Sequence, residues 1–191
     1  MKEQYEDVTD AFITMIVDEG YVNYFDECLR HEAANSGLTA TYLCNEVFML
    51  RNEFGARFEM ENGTAMPPPV TPAQLGDIVK KVEAGDLSKK MGKDLFKVLF
   101  LEEERGADVD EVVVRRGLVL ERDLGVLMEL CLGVVHDERY AKQLVLVKSA
   151  ENDKKKGKMV QFFFGKVMAE SKGMADVSLL KEALDRVIEK L

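Results

Sequence analysis

The chain has 191 residues, 47% of them hydrophobic, which suits one or two small folded domains and excludes a chain that is disordered throughout. Three cysteines, Cys28, Cys44 and Cys131, lie far apart with no C-x-x-C pair, which argues against a disulfide framework or a cysteine zinc site and fits a reducing compartment. The net charge of -9 is uneven: residues 1–70 carry 13 acidic and 4 basic side chains, whereas residues 71–191 carry 22 of each. The first part is therefore a poor electrostatic surface for nucleic acid, and the remainder can present a local basic patch. No apolar run approaches the roughly 20 residues of a membrane span. The opening MKEQYEDVTD is acidic and lacks an apolar signal core or an Arg-rich transit segment. A cytoplasmic location is expected, with a mitochondrial or plastid one as the alternative if a targeting segment has been removed.

In chain order, Tyr5–Val17 predicts a first helix with Val8, Phe12, Ile13, Ile16 and Val17 on one side, stopped at Gly20. Tyr21–Ala34 predicts a second, carrying Tyr24, Phe25, Cys28 and Leu29, broken by Asn35-Ser36-Gly37. Thr39–Glu53 predicts a third. Glu61–Pro69, with its proline triplet, reads as a linker, because three prolines favour extended backbone. Thr71-Pro72-Ala73-Gln74 then combines a cap, a proline at the first helical position and a capping box, for a helix to about Ala84 with a stop at Gly85.

Asp86 or Ser88 caps the next helix, which ends before Gly106, and Asp108-x-x-Glu111 opens a short one that ends at Gly117. Asp123–Val135 and Glu138–Ser149 read as helices, and Asn152–Lys156 as a polar loop. Met159–Glu170 is helical, with Gly165 inside it as the expected point of close packing by another helix. Asp176 caps a last amphipathic helix, Val177–Leu191. No alternating run suggests a strand, so the fold class is all-α.

The stretch Lys156–Asp176, KGKMVQFFFGKVMAESKGMAD, carries a resemblance. It resembles the GatB/YqeY signature, roughly G-K, an apolar stretch, G-Q-V-M-K, a few residues, then K-G-K-A-N-P. Gly157, Lys158, Gly165, Val167, Met168, Lys172, Gly173 and Ala175 match; Lys166, Ala169, Met174, Asp176 and Val177 depart from it. LSKKMGKDLF (Leu87–Phe96) and GLVLERDLGVL also fit, with Gly92 where the family usually has Ala, and the stretch from His136 to Gly157 is longer than in typical members. Upstream, the segment from Tyr21 to Gly55, with its Tyr24-Phe25 pair, is similar to the small helical domain before the tail in the GatB component of the glutamine-dependent glutamyl-tRNA(Gln)/aspartyl-tRNA(Asn) amidotransferases.

The resemblance implies a small acidic helical domain at 1–65 followed by a GatB/YqeY tail domain at 66–191, the tail made of two lobes meeting near Gly117. It further implies a tail that grips tRNA in support of tRNA-dependent amidation, with other amidotransferase subunits as partners and no membrane. The catalytic part of the GatB component lies N-terminal to the region matched. A protein–protein accessory module that does not bind tRNA is the alternative.

The residues themselves show no catalytic, cofactor or metal constellation. Gly157-Lys158 lacks the earlier glycine and the following hydroxyl of a phosphate-binding loop. His31 and His136 have no triad partners in view, and His136-Asp137-Glu138 reads as a cap rather than a metal site. The acidic clusters Glu102–Glu104 and Glu27/Glu32 read as solvated helix faces. The lysines are the candidate tRNA contacts. Lys154, Lys155, Lys156 and Lys158 lie beside a helix start, where ammonium groups and exposed N–H groups favour a phosphate, although a merely solvated loop is equally open. Lys166 and Lys172 extend them into a stripe if the faces agree. The Phe162–Phe164 run is assigned to the core rather than to base stacking.

Overall fold

Helix starts leave N–H groups without acceptors, and this chain supplies them with short polar side chains. In the computed structural model, which describes residues 5–31, 35–53, 68–101, 104, 106–148 and 153–191, Thr9 caps α1 (Asp10–Asp18) and Asn35 caps α3 (Ser36–Thr41). Thr71 caps α5 (Pro72–Glu83) through the full capping box, and Ser88 caps α6 (Lys89–Phe100). Asp108 caps α7 (Val109–Arg115), Asp123 caps α8 (Leu124–Val135) and Asp176 caps α11 (Val177–Glu189). Three helix ends share a second device. At Gly20, Gly85 and Gly117 the chain turns left-handed, and the next residue's N–H reaches back five positions to close the last turn. The described residues form no strand, and the protein is all-α.

Several boundaries differ from the sequence-based expectation. The helix α2 spans Val22–Arg30, not Tyr21–Ala34. Asn35 is not a break but a start, because its carboxamide oxygen accepts from Leu38 N–H and opens α3. From Thr41 onward the helix widens into a π segment, Tyr42–Val47, and then narrows to α4 (Phe48–Glu53). The Thr39 and Thr41 hydroxyls donate to the carbonyls four residues back, a competition known to disturb regular helix geometry. After α8, a 3-10 turn at Glu138–Tyr140 precedes α9 (Ala141–Lys148). The expected linker residues Glu61–Pro67 lie outside the described residues.

The contacts divide the chain into two units, residues 1–118 and 119–191. The proline triplet is not where packing divides. The Tyr24 hydroxyl donates to Val70 O at 2.7 Å, and α2 packs against α5, so helices on either side of the triplet share one core. Phe25, Leu43, Leu75, Ile78, Leu95, Phe96 and Leu99 are among its fully buried members. Gln74 joins a third piece, because its side-chain amide completes the α5 capping box and also donates to Ala107 O ahead of α7. Glu104, expected on a solvated face, is instead mostly covered and paired with Arg115 and Arg116.

In the second unit α8 lies along α11, and α10 (Asp153–Glu170) packs on both. Leu127, Cys131, Phe163, Val167, Leu180, Ala183, Leu184 and Val187 meet there. An isolated parallel bridge sets the arrangement: Glu121 N–H donates to Met174 O at 2.7 Å and Asp176 N–H donates to Glu121 O at 3.1 Å. Both helices therefore start from one clamp.

The close helix packing expected at Gly165 is absent there, since Gly165 is exposed and an added Cβ would meet nothing within 4 Å. Close packing falls at Gly92, where a Cβ would overlap the buried Tyr42 hydroxyl and come within 2.7 Å of Val82 Cγ2. It falls also at Gly76, against the backbone of Cys28 and His31. Gly92→Ala is expected to cost about 1–3 kcal/mol by overpacking. Gly165→Ala should stabilise by up to about 1 kcal/mol, because it removes an interior helix glycine into open space. Urea unfolding followed by far-UV circular dichroism measures both, and equal signs would refute the packing assignment.

Asp7 gives a second test. Its carboxylate accepts from the Ser36 hydroxyl and from Gly37 N–H at 2.7 Å, at the first turn of α3. The Ser36 hydrogen bond, foremost, holds its carboxyl below the ordinary range. A carboxyl lowered by folding adds stability that is complete above its unfolded value, about 3.9, and is lost as the pH falls through the lower folded value. Asp7→Asn is therefore expected to cost about 1 kcal/mol at pH 7, and the gap to the parent should close on titration below about pH 4.

Candidate nucleic-acid interface

The helix α10 begins at Asp153, so Lys154, Lys155, Lys156 and Lys158 are helical rather than in the polar loop expected at Asn152–Lys156. Lysine is a good helix former, so a run of lysines is compatible with a helix start. At about 100° per residue, Lys155, Lys158 and Lys166 fall within one face, roughly a third of a turn round the helix from the side of Phe163 and Val167. Those two residues are fully buried. Lys155 and Lys158 are exposed and Lys166 is half-buried. Lys156 stands seven residues before Phe163, on the side that packs further along the helix, and is exposed only because the packing has not yet begun. The side chain of Lys154 lies outside the described residues. Lys172 is exposed but belongs to no face of α10, since it follows the last turn of that helix. Three of the six lysines thus share a face, and Lys156 and Lys172 do not extend it.

Tertiary packing adds what spacing did not reveal. The half-buried Tyr140 ring, from the 3-10 turn, has Lys166 Nζ 5.4 Å and Arg139 Cζ 5.5 Å from its centroid. Lys166 Nζ is also 5.3 Å from the Phe162 ring. Cation–π contacts of this kind anchor a long side chain without neutralising it. Asp137 accepts from Arg139 Nε and Nη2, which fixes the guanidinium plane, and those bonds hold the Asp137 carboxyl low. Arg139 gives no signal in the sequence, because a lone Arg beside Asp carries no motif. The phenylalanine run is core, as expected: Phe163 is fully buried and Phe162 and Phe164 pack against the same cluster.

Beside Tyr140, between α8 and α10, is a cavity of about 250 Å³ whose walls include Glu129, Gly133, Arg139, Lys166 and Glu170. The site is therefore of mixed charge, not a uniform basic patch. The Cys44 and Cys131 thiols are pushed up to about 11 by burial, and Cys28 further in the same direction, so none is a thiolate at neutral pH. Among the described residues no group of three His, Cys, Asp or Glu could hold a metal ion, and no helix is long and apolar enough to cross a membrane. His136 sits at the end of α8 with Nδ1 3.1 Å from Leu132 O, and Asp137 caps the 3-10 turn.

Of the signature residues, Val167, Gly173 and Ala175 are buried where α10 turns into the clamp, and Gly157 and Gly165 face open space. The family model of the GatB domain (GatB/YqeY) matches residues 23–188, across both units. The chain belongs to the GatB/YqeY family. It is 31% identical over 189 residues to the B component of the aspartyl/glutamyl-tRNA(Asn/Gln) amidotransferase of Marinobacter nauticus, covering 97% of this chain and 36% of that protein. The protein of the same name from Azotobacter vinelandii is 29% identical, over 87% of this chain and 32% of its own length. The B component of the mitochondrial glutamyl-tRNA(Gln) amidotransferase of Phytophthora infestans is 22% identical, over 98% of this chain and 30% of its own. The chain thus spans about a third of the length of these relatives.

One feature of this GatB/YqeY signature is strained. At the end of α10 the N–H of Gly173 reaches Met168 O and that of Lys172 reaches Ala169 O, the same closure seen at Gly20, Gly85 and Gly117. Here, however, the first left-handed residue is Lys172, at φ 54°, and the glycine follows it. A non-glycine residue in that region costs roughly 1–2 kcal/mol. Lys172→Gly is expected to raise stability by about 1 kcal/mol. An unchanged or lowered urea midpoint would mean that the Lys172 side chain contributes a contact that offsets the strain.

Proposed function

We propose that this chain is the non-catalytic, tRNA-binding tail of the GatB component of a glutamine-dependent glutamyl-tRNA(Gln)/aspartyl-tRNA(Asn) amidotransferase, supporting tRNA-dependent amidation in translation. The observation that carries it is the face of α10 that presents Lys155, Lys158 and Lys166, inside the family match and in the less acidic unit. Residues 119–191 hold 13 Lys and Arg against 12 Asp and Glu, while residues 1–118 hold 13 against 23. An RNA approaching this chain is repelled by the first unit and admitted by the second. The lysines neutralise phosphates and release counterions; selection comes from the shape of a folded RNA rather than from a groove code. Lys154, Lys156 and Lys172 serve as peripheral contacts. The chain by itself catalyses no amidation. The acidic first unit docks onto the other subunits of the complex, in the cytoplasm or in an organelle.

Binding of a tRNA(Gln) transcript over a salt series tests this reading. The double variant Lys155→Glu/Lys158→Glu is expected to lose at least tenfold in affinity and about 1.5 in the slope of log K against log salt, at roughly 0.7–0.9 per phosphate contact. Lys156→Glu, of equal charge change per site but on the other side of α10, should lose much less. Equal losses per site would show that only net charge matters. No binding at low salt would leave the protein–protein accessory reading, which the charge of residues 1–118 supports.

A further inference from the structure

We infer that the cavity between α8 and α10 receives one unpaired guanine base of the bound RNA, which rests on the RNA-binding reading above and adds to it a site that reads a base. The cavity, of about 250 Å³, offers carboxylates from Glu129 on α8 and Glu170 on α10, cations from Lys166 and Arg139, and the half-buried ring of Tyr140 as an apolar wall. Neither Glu129 nor Glu170 is in an ion pair among the described residues. Tyr140 is held edge-to-face by Phe162 and Phe163, with centroids 5.6 and 6.4 Å away, so the wall is rigid.

A phosphate alone would be matched by the cations and repelled by the two glutamates. A base satisfies both. Guanine is the base with two adjacent N–H donors on one edge, N1–H and N2–H, which a carboxylate accepts together. It also carries two adjacent acceptors, O6 and N7, which a lysine or arginine satisfies. Adenine and cytosine present an amino donor beside a ring acceptor that a carboxylate repels, and uracil presents a single N–H between two carbonyls. Single-stranded RNA bases are read in this way, on their exposed edges and against an aromatic side chain. Asp137 holds the Arg139 Nε and Nη2, which leaves Lys166 as the mobile cation, released from its ring contacts as the base enters.

Gly133 supplies the test. It lines the cavity on α8, and a Cβ there would meet nothing within 4 Å, so a larger side chain enters the cavity without disturbing the helix. The uniformly ¹⁵N-labelled full chain is titrated with GMP, AMP, CMP and UMP and followed by amide chemical shifts. GMP is expected to give saturable shifts centred on Gly133, Tyr140 and Lys166, with at least about fivefold weaker responses to the other three. Gly133→Leu should abolish them with the rest of the spectrum intact, and Glu129→Gln or Glu170→Gln should weaken GMP about tenfold.

Absence of saturable shifts at Gly133, an equal response to AMP, or unchanged GMP affinity in both glutamine variants overturns the inference. If Gly133→Leu misfolds, the glutamine variants decide alone. Failure of the two readings is distinguishable. Binding of tRNA without a GMP response sinks the guanine site and spares the tail reading. A GMP response without tRNA binding sinks the tail reading and leaves a guanine nucleotide site.

Discussion

Two backbone hydrogen bonds around Glu121 hold the second unit in its arrangement. They join the approach to α8 with the approach to α11, elements more than fifty residues apart in sequence, so that both helices start side by side. Once α8 and α11 lie together, their apolar faces leave a groove that the Phe163 and Val167 side of α10 fills. A third of a turn from that groove α10 carries Lys155 and Lys158, which are exposed, and Lys166, which is half-buried against the Tyr140 and Phe162 rings. The exposed lysine face is thus a consequence of burial elsewhere on the helix, not an independent feature. The Asp176 cap and the Arg122 side chain 3.5 Å from it reinforce the same junction.

The same packing explains why the candidate interface is of mixed charge. Packing of Phe162 and the buried Phe163 draws Tyr140 in against them, and Tyr140 brings Arg139 and collects Lys166 over its ring. Glu129 and Glu170 arrive because α8 and α10 need a polar outer edge where their packed faces end. Cations beside carboxylates suit a ligand with both donors and acceptors better than a bare phosphate. The turn with Lys155 and Lys158 is exposed and lies outside that cavity. Long-range attraction and local discrimination therefore fall to neighbouring stretches of one helix, under the function proposed here.

Glycine shows how the same residue type serves opposite ends. Gly92 and Gly76 in the first unit are places where another side chain or backbone occupies the Cβ position, and helix contact there depends on its absence. Gly165 and Gly133 have free space, and their lack of a side chain leaves a surface or a cavity open. Spacing within a helical run does not separate these cases, because both occur in the interior of a helix flanked by apolar residues.

The helix starts at Thr71, at Asp86 or Ser88, and at Asp108 and Asp176, and the stops at Gly20, Gly85 and Gly117, were legible in the chain, because caps and glycine turns are local and need only a few residues. The all-α class and the core role of Phe162–Phe164 were legible for the same reason, through helical period, and the family through the motif around α10. The helical state of Lys154–Lys158 was not, since a lysine run serves equally as loop or helix until the rest of α10 is docked. Nor were the shared core on either side of the proline triplet, the clamp at Glu121, or the meeting of Tyr140 with Lys166. These are contacts between residues distant in sequence, where each partner has many alternatives and only the summed burial of a whole face selects one. Sequence alone determined where helices begin and end and which family they belong to; tertiary structure decided which faces are buried, and thereby which charges remain for a ligand to meet.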